Sequence, residues 1–308
     1  MSPRRAPGGG DIVAADGRAR ILEAGYRPYA GPRLGPRHAV ATLARHSFER
    51  IMGLKRPARY KVLPFLSVAI AYLPAITFVG IVAIISRARA QAIEFIPQPG
   101  RYYGFITAAI ILFTVVAAPE ALCPDRRTRF LGVYLASPLT KSTYLLAKAI
   151  AIVTALLLVT IGPSLLLLIG LALQNFGPRG EVAFFETFGQ ILLTGVALSL
   201  MFGALSLAIP SLTDRRAFAS AGSLLLILGS GAVSGILTRG LHASQRFELL
   251  ALNRLPFDLA LRIFTLHGIQ FEDRPPLPTA SVVAASVGVT VIAAAVAWWR
   301  VVGVEVQR

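Results

Sequence analysis

Charge is scarce in this sequence, and acidic charge is the scarcest. Only 15% of the 308 residues are Asp, Glu, Lys or Arg, whereas a soluble protein carries about a quarter. The hydrophobic residues, 55% of the total, are gathered into long blocks. These blocks have the length of about 20 residues that crosses a lipid bilayer. The composition therefore excludes an ordinary soluble domain and predicts an all-α, polytopic membrane protein.

Residues that build catalytic and metal sites are also rare. The single cysteine, Cys123, excludes an internal disulfide and a multi-cysteine metal site. The four histidines lie outside the apolar blocks, and no HExxH motif occurs. The only Lys-Ser pair, Lys141-Ser142, lacks the glycines that let backbone amides wrap a phosphate, because Leu135 stands where the first should be. We expect no enzymatic activity and no cofactor or metal on this chain.

The apolar blocks predict six membrane spans. Their approximate ranges are 63–86, 104–122, 146–174, 188–212, 217–238 and 279–302. Gly162 and Pro163 interrupt the third block, which predicts a kink there. Gly231 and Gly235 in the fifth form a GxxxG pair, which predicts close helix packing.

The basic residues predict the orientation of these spans. If the amino terminus is cytoplasmic, 22 of the 31 Lys and Arg residues lie on the cytoplasmic side, including all four lysines. Because cytoplasmic loops are enriched in Lys and Arg, both termini are predicted to be cytoplasmic. The net charge of +16 is explained by this topology and by anionic lipids rather than by nucleic acid.

The sequence before the first span divides into two parts. Residues 1–38 are rich in Pro, Gly, Arg and Ala, and we expect a flexible cytoplasmic segment. Within 39–62, the stretch 41–54 has the pattern of an amphipathic helix on the inner membrane surface. The alternative is a helix of a small cytoplasmic fold. The predicted apolar side consists of Leu43, Ala44, Phe48, Ile51 and Met52, and the polar side of Arg45, His46, Glu49 and Arg50.

The longest predicted outer loop, 239–278, has an unusually apolar stretch at 247–264. Pro256 is suited to the first turn of a helix, and Gly268 to its end. The pieces are too short to span a bilayer. We therefore expect an interfacial or re-entrant element in this loop.

Charge is concentrated between the second and third spans, in the run PEALCPDRRTRFLGVYLASPLTK at 119–141. Pro124 is suited to the first turn of a short helix, on which Asp125 and Arg129 are one turn apart. Pro138 would end this helix, and Thr140 would cap the next. The apolar stripe of the helix comprises Phe130, Leu131, Tyr134 and Leu135. The pattern predicts a short amphipathic helix that presents charge to the cytoplasm; the alternative is a solvated loop.

The predicted spans offer little to an ion-driven carrier, which would bury ionisable groups midway through the bilayer. Glu120 is the exception, but it falls at the inner end of span 2, where Lys148 at the start of span 3 is a candidate neighbour. Energy for any transport would therefore come from another polypeptide. The absence of charge also favours an amphiphilic or lipid-like substrate over a metal ion.

The charged run resembles the permease subunits of ABC transporters of the type-2 exporter class. These commonly read Pro-Glu, a charged patch, a Leu-rich turn, Pro-Leu-Thr or Pro-Leu-Ser with a basic residue, and a Lys opening the next span. The matching residues are Pro119, Glu120, Asp125, Arg126, Arg127, Leu135, Pro138, Leu139, Thr140, Lys141, Tyr144 and Lys148. The stretches at 25–35, 59–65 and 255–264 are also similar to the class, and the resemblance covers about residues 20–305.

The resemblance implies a two-part machine in a bacterial cell membrane. Residues 63–308 would form the six-span domain, 39–62 the connecting helix, and 123–142 a coupling segment that enters a groove on a separate P-loop ATPase. Two permease copies or homologues would form the substrate path, and ATP and Mg would bind the ATPase subunits. The implied ATPase-coupling residues are Glu120, Asp125, Arg126, Arg127, Arg129 and Lys141.

Two features qualify this expectation. The class often has more Glu in the coupling patch, so the arginines here predict complementary acidic groups on the ATPase. A membrane scaffold or sensor that recruits a cytoplasmic protein without transport is the second hypothesis, because it too needs the charged patch.

Overall fold

The computed structural model describes residues 31, 35–84, 97–128, 138–264 and 277–303. Within these ranges the chain is helical and contains no strand. The helices are α1 (Pro36–Ile51), α2 (Val62–Ile84), α3 (Pro99–Arg127), α4 (Lys141–Thr160), α5 (Gly162–Leu173), α6 (Glu181–Ala208), α7 (Arg216–Gly235), α8 (Leu255–Ile263) and α9 (Thr279–Val302). Shorter helical turns occupy Ala58–Tyr60, Ile236–Gly240 and Gln245–Leu250.

Six of the described helical segments are long and apolar enough to cross a membrane. They are span 1 (Val62–Ile84), span 2 (Pro99–Arg127), span 3 (Lys141–Leu173), span 4 (Glu181–Ala208), span 5 (Arg216–Gly240) and span 6 (Thr279–Val302). The prediction of an all-α protein with six spans is confirmed. The predicted boundaries of three spans were displaced by about a turn or more: span 2 extends further at each end, span 3 starts earlier, and span 4 starts and ends earlier.

Spans 2, 3 and 4 form the centre of the bundle. In span 4, 72% of the most apolar stretch is buried, against 22% in span 6. Spans 1, 5 and 6 carry many exposed apolar side chains, among them Leu73, Leu225 and Ile292. These outer surfaces fit a hydrocarbon environment, where apolar exposure carries no penalty.

The predicted kink in span 3 is present as a break between α4 and α5 at Ile161. Proline lacks the N–H that would continue the helix, so Pro163 starts a new one. Neighbouring side chains supply hydrogen bonds there: Thr160 Oγ1 donates to the Gly195 carbonyl at 3.2 Å, and Tyr72 Oη donates to the Leu158 carbonyl at 3.3 Å. The break is thus fixed by contacts from spans 1 and 4.

Helix α1 contains the predicted amphipathic pattern but lies on protein. Leu43, Ala44, Ile51 and Met52 are buried, and α1 packs against α4 and α3. The face predicted to contact the membrane is therefore covered by the start of span 3. The predicted flexible segment 1–38 lies mostly outside the described residues, and α1 begins within it, at Pro36.

Helix α8 closes the opposite end of the bundle. It has Pro256 in its first turn, as predicted, ends at Ile263 and packs against α3 and α9. Gly268, the predicted stop, lies outside the described residues. The two glycines of the GxxxG pair differ: Gly231 lies against the side chain of Asn253, whereas a Cβ at Gly235 would meet open space. Within the described chain, the pair does not bring two spans together.

Candidate functional site: a charged network at one end of the bundle

The predicted coupling segment begins inside span 2 rather than after it. Helix α3 runs through Pro119 and Pro124 to Arg127, so a separate helix starting at Pro124 was a wrong prediction. A proline is tolerated inside a membrane helix where neighbouring groups compensate for the lost backbone bond. Here the flanking carboxylates Glu120 and Asp125 contact four other helices or turns, which hold the helix in line on both sides of Pro124. Residues 129–137, including Arg129, lie outside the described residues.

Asp125 is the centre of a buried cluster formed with Arg50, Tyr144 and Lys148, here called the Asp125 cluster. Its Oδ2 lies 2.6 Å from Lys148 Nζ, and its Oδ1 lies 2.6 Å from an Arg50 guanidinium nitrogen. Tyr144 Oη donates a hydrogen bond to Oδ2 at 3.0 Å. The side chains of Lys148 and Asp125 are only 1% and 2% exposed. The prediction that Asp125 presents its charge to the cytoplasm was therefore wrong.

The Asp125 cluster joins three elements through one carboxylate. Arg50 comes from α1, Asp125 from span 2, and Tyr144 and Lys148 from span 3. Removing one partner of a buried ion pair costs about 3–5 kcal/mol, because the other charge is left without compensation. Arg50 was predicted on the polar side of α1, yet it turns inward; its side chain keeps 24% exposure. The cluster therefore fixes α1 to the inner core of the bundle.

A second cluster, the Glu120 cluster, consists of Arg56, Glu120 and Arg216. An Arg56 guanidinium nitrogen lies 2.9 Å from Glu120 Oε2, and Arg216 pairs with Oε1. Lys148, the predicted neighbour of Glu120, pairs with Asp125 instead. The reason is geometric: five residues along an α-helix turn the side chain by about 140°. Glu120 consequently faces span 5, whereas Asp125 faces span 3.

The segment 52–61 between α1 and span 1, here called the elbow, turns tightly and positions Arg56 for this contact. Gly53 has a φ of 69°, and a Cβ there would lie 2.5 Å from the Tyr60 carbonyl oxygen, so only glycine fits. Lys55 also has a left-handed φ of 61°, and its Nζ bonds Glu49 at 2.8 Å. The hydrogen bond from Lys55 lowers the pKa of Glu49. The elbow thus links α1 to span 1 in one defined conformation.

The remaining predicted residues have different surroundings. Arg126 pairs with Asp214 at 3.1 Å and donates to the Ser211 carbonyl, at the turn between spans 4 and 5. Arg127 is exposed. Lys141 Nζ donates to the Val302 carbonyl at 3.0 Å, and Thr140 caps α4 as predicted, through Thr143. Of the described members of the set, Arg127 is the one whose charge faces away from the bundle.

Sequence reasoning missed the cations that complete the two clusters: Arg50, Arg56 and Arg216. Two carboxylates at the end of an apolar span require compensating charge, and this signal could have directed attention to nearby arginines. Because many arginines lie at this end, the pairing depends on helix rotation and packing. Those contacts are set by tertiary structure rather than by local pattern.

The fold and the site define a class: a six-span helical membrane protein with a charged network at one end. Among the described residues, no group of His, Cys, Asp or Glu is arranged to hold a metal ion. The family profile described as ABC-2 family transporter protein matches residues 90–251, more than half of the 308-residue chain. The chain belongs to this family of ABC-type permeases, which are the non-catalytic transmembrane components and work with ATPase subunits. A search of curated proteins found no match.

Proposed function

We propose that this chain is the permease subunit of an ATP-driven exporter in a bacterial cell membrane, forming the substrate path as a dimer. Two separate ATPase subunits would dock at the end that carries α1, which is cytoplasmic in the proposed orientation. The family match supports the transporter class. The observation that carries the coupling role is the charged network that joins α1, span 2, span 3 and span 5 beside the predicted docking segment 123–142.

The proposed coupling residues fall into two groups by their contacts. Arg127, which is exposed, would meet acidic groups on the ATPase together with Arg129, because opposite charges steer and orient a docking surface. Arg126 would both face the ATPase and tie the segment to the turn between spans 4 and 5, through its pair with Asp214. Glu120, Asp125 and Lys141 would act through the chain itself, because each is bonded to another helix or turn. A displacement of the docking segment would then pull on α1 and on spans 3, 5 and 6 together.

The mechanism we propose is a shift between two arrangements of the dimer. ATP binding would favour one arrangement, and a linkage between rigid elements transmits such a bias without chemistry in the membrane. The short ion-pair distances around Asp125, at 2.6 Å, support a rigid linkage.

Reversing the charge of the docking surface tests this function. The chain is co-expressed with a candidate P-loop ATPase from the same genome, and ATP hydrolysis by the complex is measured in lipid nanodiscs. We expect the triple variant, with Arg126, Arg127 and Arg129 all changed to Glu, to lower the permease-dependent ATP hydrolysis at least about tenfold. A tenfold loss corresponds to about 1.4 kcal/mol of interaction free energy between the permease and the ATPase. The single change Arg127→Glu is the cleaner version, because Arg127 makes no ion pair among the described residues.

The matched control is Arg37→Glu, an equal charge reversal at an exposed position of α1. It should leave hydrolysis within about twofold of the native complex. Equal hydrolysis with the Arg127 and Arg37 variants would contradict the docking role. A stable complex whose hydrolysis never responds to the permease would favour the scaffold hypothesis instead.

A further inference from the structure

Two basic side chains in the elbow before span 1 are not used by the charged network. Among the residues that the structure describes, neither Arg59 nor Lys61 contacts a carboxylate. Glu49 and Glu120, the carboxylates that bond the neighbouring Lys55 and Arg56, are already shared between other cations. Within the described ranges, the elbow therefore presents positive charge that no carboxylate contacts.

The exposed ring of Tyr60 contacts two basic side chains, those of Arg56 and Arg59. The guanidinium of Arg59 lies 5.0 Å from the centre of the Tyr60 ring, and that of Arg56 lies 5.4 Å from it. Such cation–π contacts restrict both the ring and the guanidinium. Because Arg56 is also bonded to Glu120, the ring has a fixed support on the bundle. Arg59 is thus held beside the start of span 1 rather than left free in solvent.

The next turn of the chain is apolar and faces outward. Four large side chains at the start of span 1 are exposed: Val62, Leu63, Phe65 and Leu66. They belong to a helix long and apolar enough to cross a membrane. A ligand at this place must therefore offer negative charge at the level of Arg59 and Lys61 and hydrocarbon directly beside it. A phospholipid with an anionic headgroup has both parts in this order.

We propose that Arg59, Tyr60 and Lys61, with the adjoining face of span 1, bind an anionic phospholipid at the membrane surface. The phosphate lies between the two basic side chains, Tyr60 lies at headgroup level, and the acyl chains run along Val62 and Leu66. Aromatic rings and basic side chains are favoured at this depth of a bilayer. The site is independent of transport, so it stands or fails separately from the proposed function.

Native mass spectrometry of the full chain in detergent tests the site. The probes are phosphatidylglycerol and phosphatidylcholine with identical acyl chains, and the apparent Kd of each is measured. The native chain should bind phosphatidylglycerol more tightly. Each basic residue close to an anionic headgroup contributes about a fivefold change in affinity, so Arg59→Gln with Lys61→Gln should weaken phosphatidylglycerol binding about twenty-fivefold. Phosphatidylcholine binding should change less than about twofold.

The matched control is Arg37→Gln with Arg45→Gln, which also removes two positive charges, at exposed positions of α1 outside the elbow. Its phosphatidylglycerol affinity should stay within about twofold of the native value. Equal losses in the two double variants would overturn the site, because general charge would then explain the binding. Competition by inorganic phosphate or by glycerophosphoglycerol as strong as by the lipid would also overturn it, in favour of a soluble anion. Thermal unfolding in phosphatidylcholine verifies that all variants are folded.

Discussion

The two ends of span 2 are held in place by different kinds of contact. With 29 residues, the helix is about 43 Å long. At the end near α1, the carboxylates of Glu120 and Asp125 each pair with two cations from other elements. At the end near α8, Gly104 lies against the Phe257 ring, and the rings of Tyr103 and Phe264 are 6.2 Å apart. One end is ionic, and the other is apolar and aromatic.

Because the contacts differ, the two ends of span 2 respond differently to perturbation. Close apolar packing depends on shape and volume, so it fixes the α8 end at one distance from its neighbours. At the α1 end a few charged residues provide most of the stabilisation, because the loss of one partner of a buried ion pair leaves the other charge without compensation. A perturbation at the α1 end therefore reaches several helices at once. This arrangement suits an end at which a partner is proposed to act.

The largest expected effect is the loss of the Asp125 carboxylate. Asp125→Asn removes the carboxylate that pairs with Lys148, a side chain that is only 1% exposed. The free energy of unfolding should fall by about 3–5 kcal/mol. Denaturant titration of the purified chain in detergent, followed by circular dichroism, measures this change.

Two further variants sharpen the Asp125 prediction. Adding Lys148→Met to Asp125→Asn should restore part of the lost stability, because the buried ammonium that has lost the Asp125 carboxylate is removed as well. Asp214→Asn is the matched control, since Asp214 is 61% exposed at the same end of the bundle. If Asp125→Asn and Asp214→Asn were equally stable, the ionic end would not be held by the Asp125 cluster.

A smaller effect is expected from added volume at the other end of span 2. A Cβ at Gly104 would lie 3.1 Å from the Phe257 ring, so Gly104→Val forces this ring of α8 out of its present position. Such overpacking costs about 1–3 kcal/mol, and the loss should be the same at low and high salt. The control is Gly189→Val in span 4, where a Cβ meets nothing within 4 Å. Equal unfolding free energies for these two variants would show that α8 is not fixed by packing.

The same contrast explains what the sequence could predict. The six spans, the break at Pro163 and the cap at Thr140 follow from local composition, because hydrophobic length, a missing N–H and a side-chain hydroxyl act within a few residues. The amphipathic pattern of α1 was also predicted from the sequence. The surface that covers its apolar side was not. That surface is span 3, which lies about a hundred residues further along the chain.

The pairings within the charged network could not be predicted from the sequence. The family resemblance placed Glu120 and Asp125 in one set of coupling residues, and Lys148 was the candidate neighbour of Glu120. In the structure the two carboxylates turn to different sides of span 2, and each partner is fixed by how another helix is rotated. Pro124 led to the wrong prediction of a separate helix, because a proline that suits the first turn of a helix can also lie within a helix whose neighbours support it.

The smallest expected effect concerns the Glu120 cluster. It compares this cluster with the Asp125 cluster at the same, ionic end of span 2. Glu120 and Arg216 are 17% and 42% exposed, so water and salt screen this pair more than the Asp125 cluster. Glu120→Gln should lower the unfolding free energy by about 1 kcal/mol at low salt and by less at high salt. Unfolding titrations at two ionic strengths measure the difference. The control is Glu186→Gln in span 4, an exposed acid that accepts a long hydrogen bond of 3.5 Å from Gln190. A loss that does not change with salt would mean that Glu120 is buried from solvent as effectively as Asp125, and that the ionic end is one cooperative unit rather than a buried cluster beside a screened one.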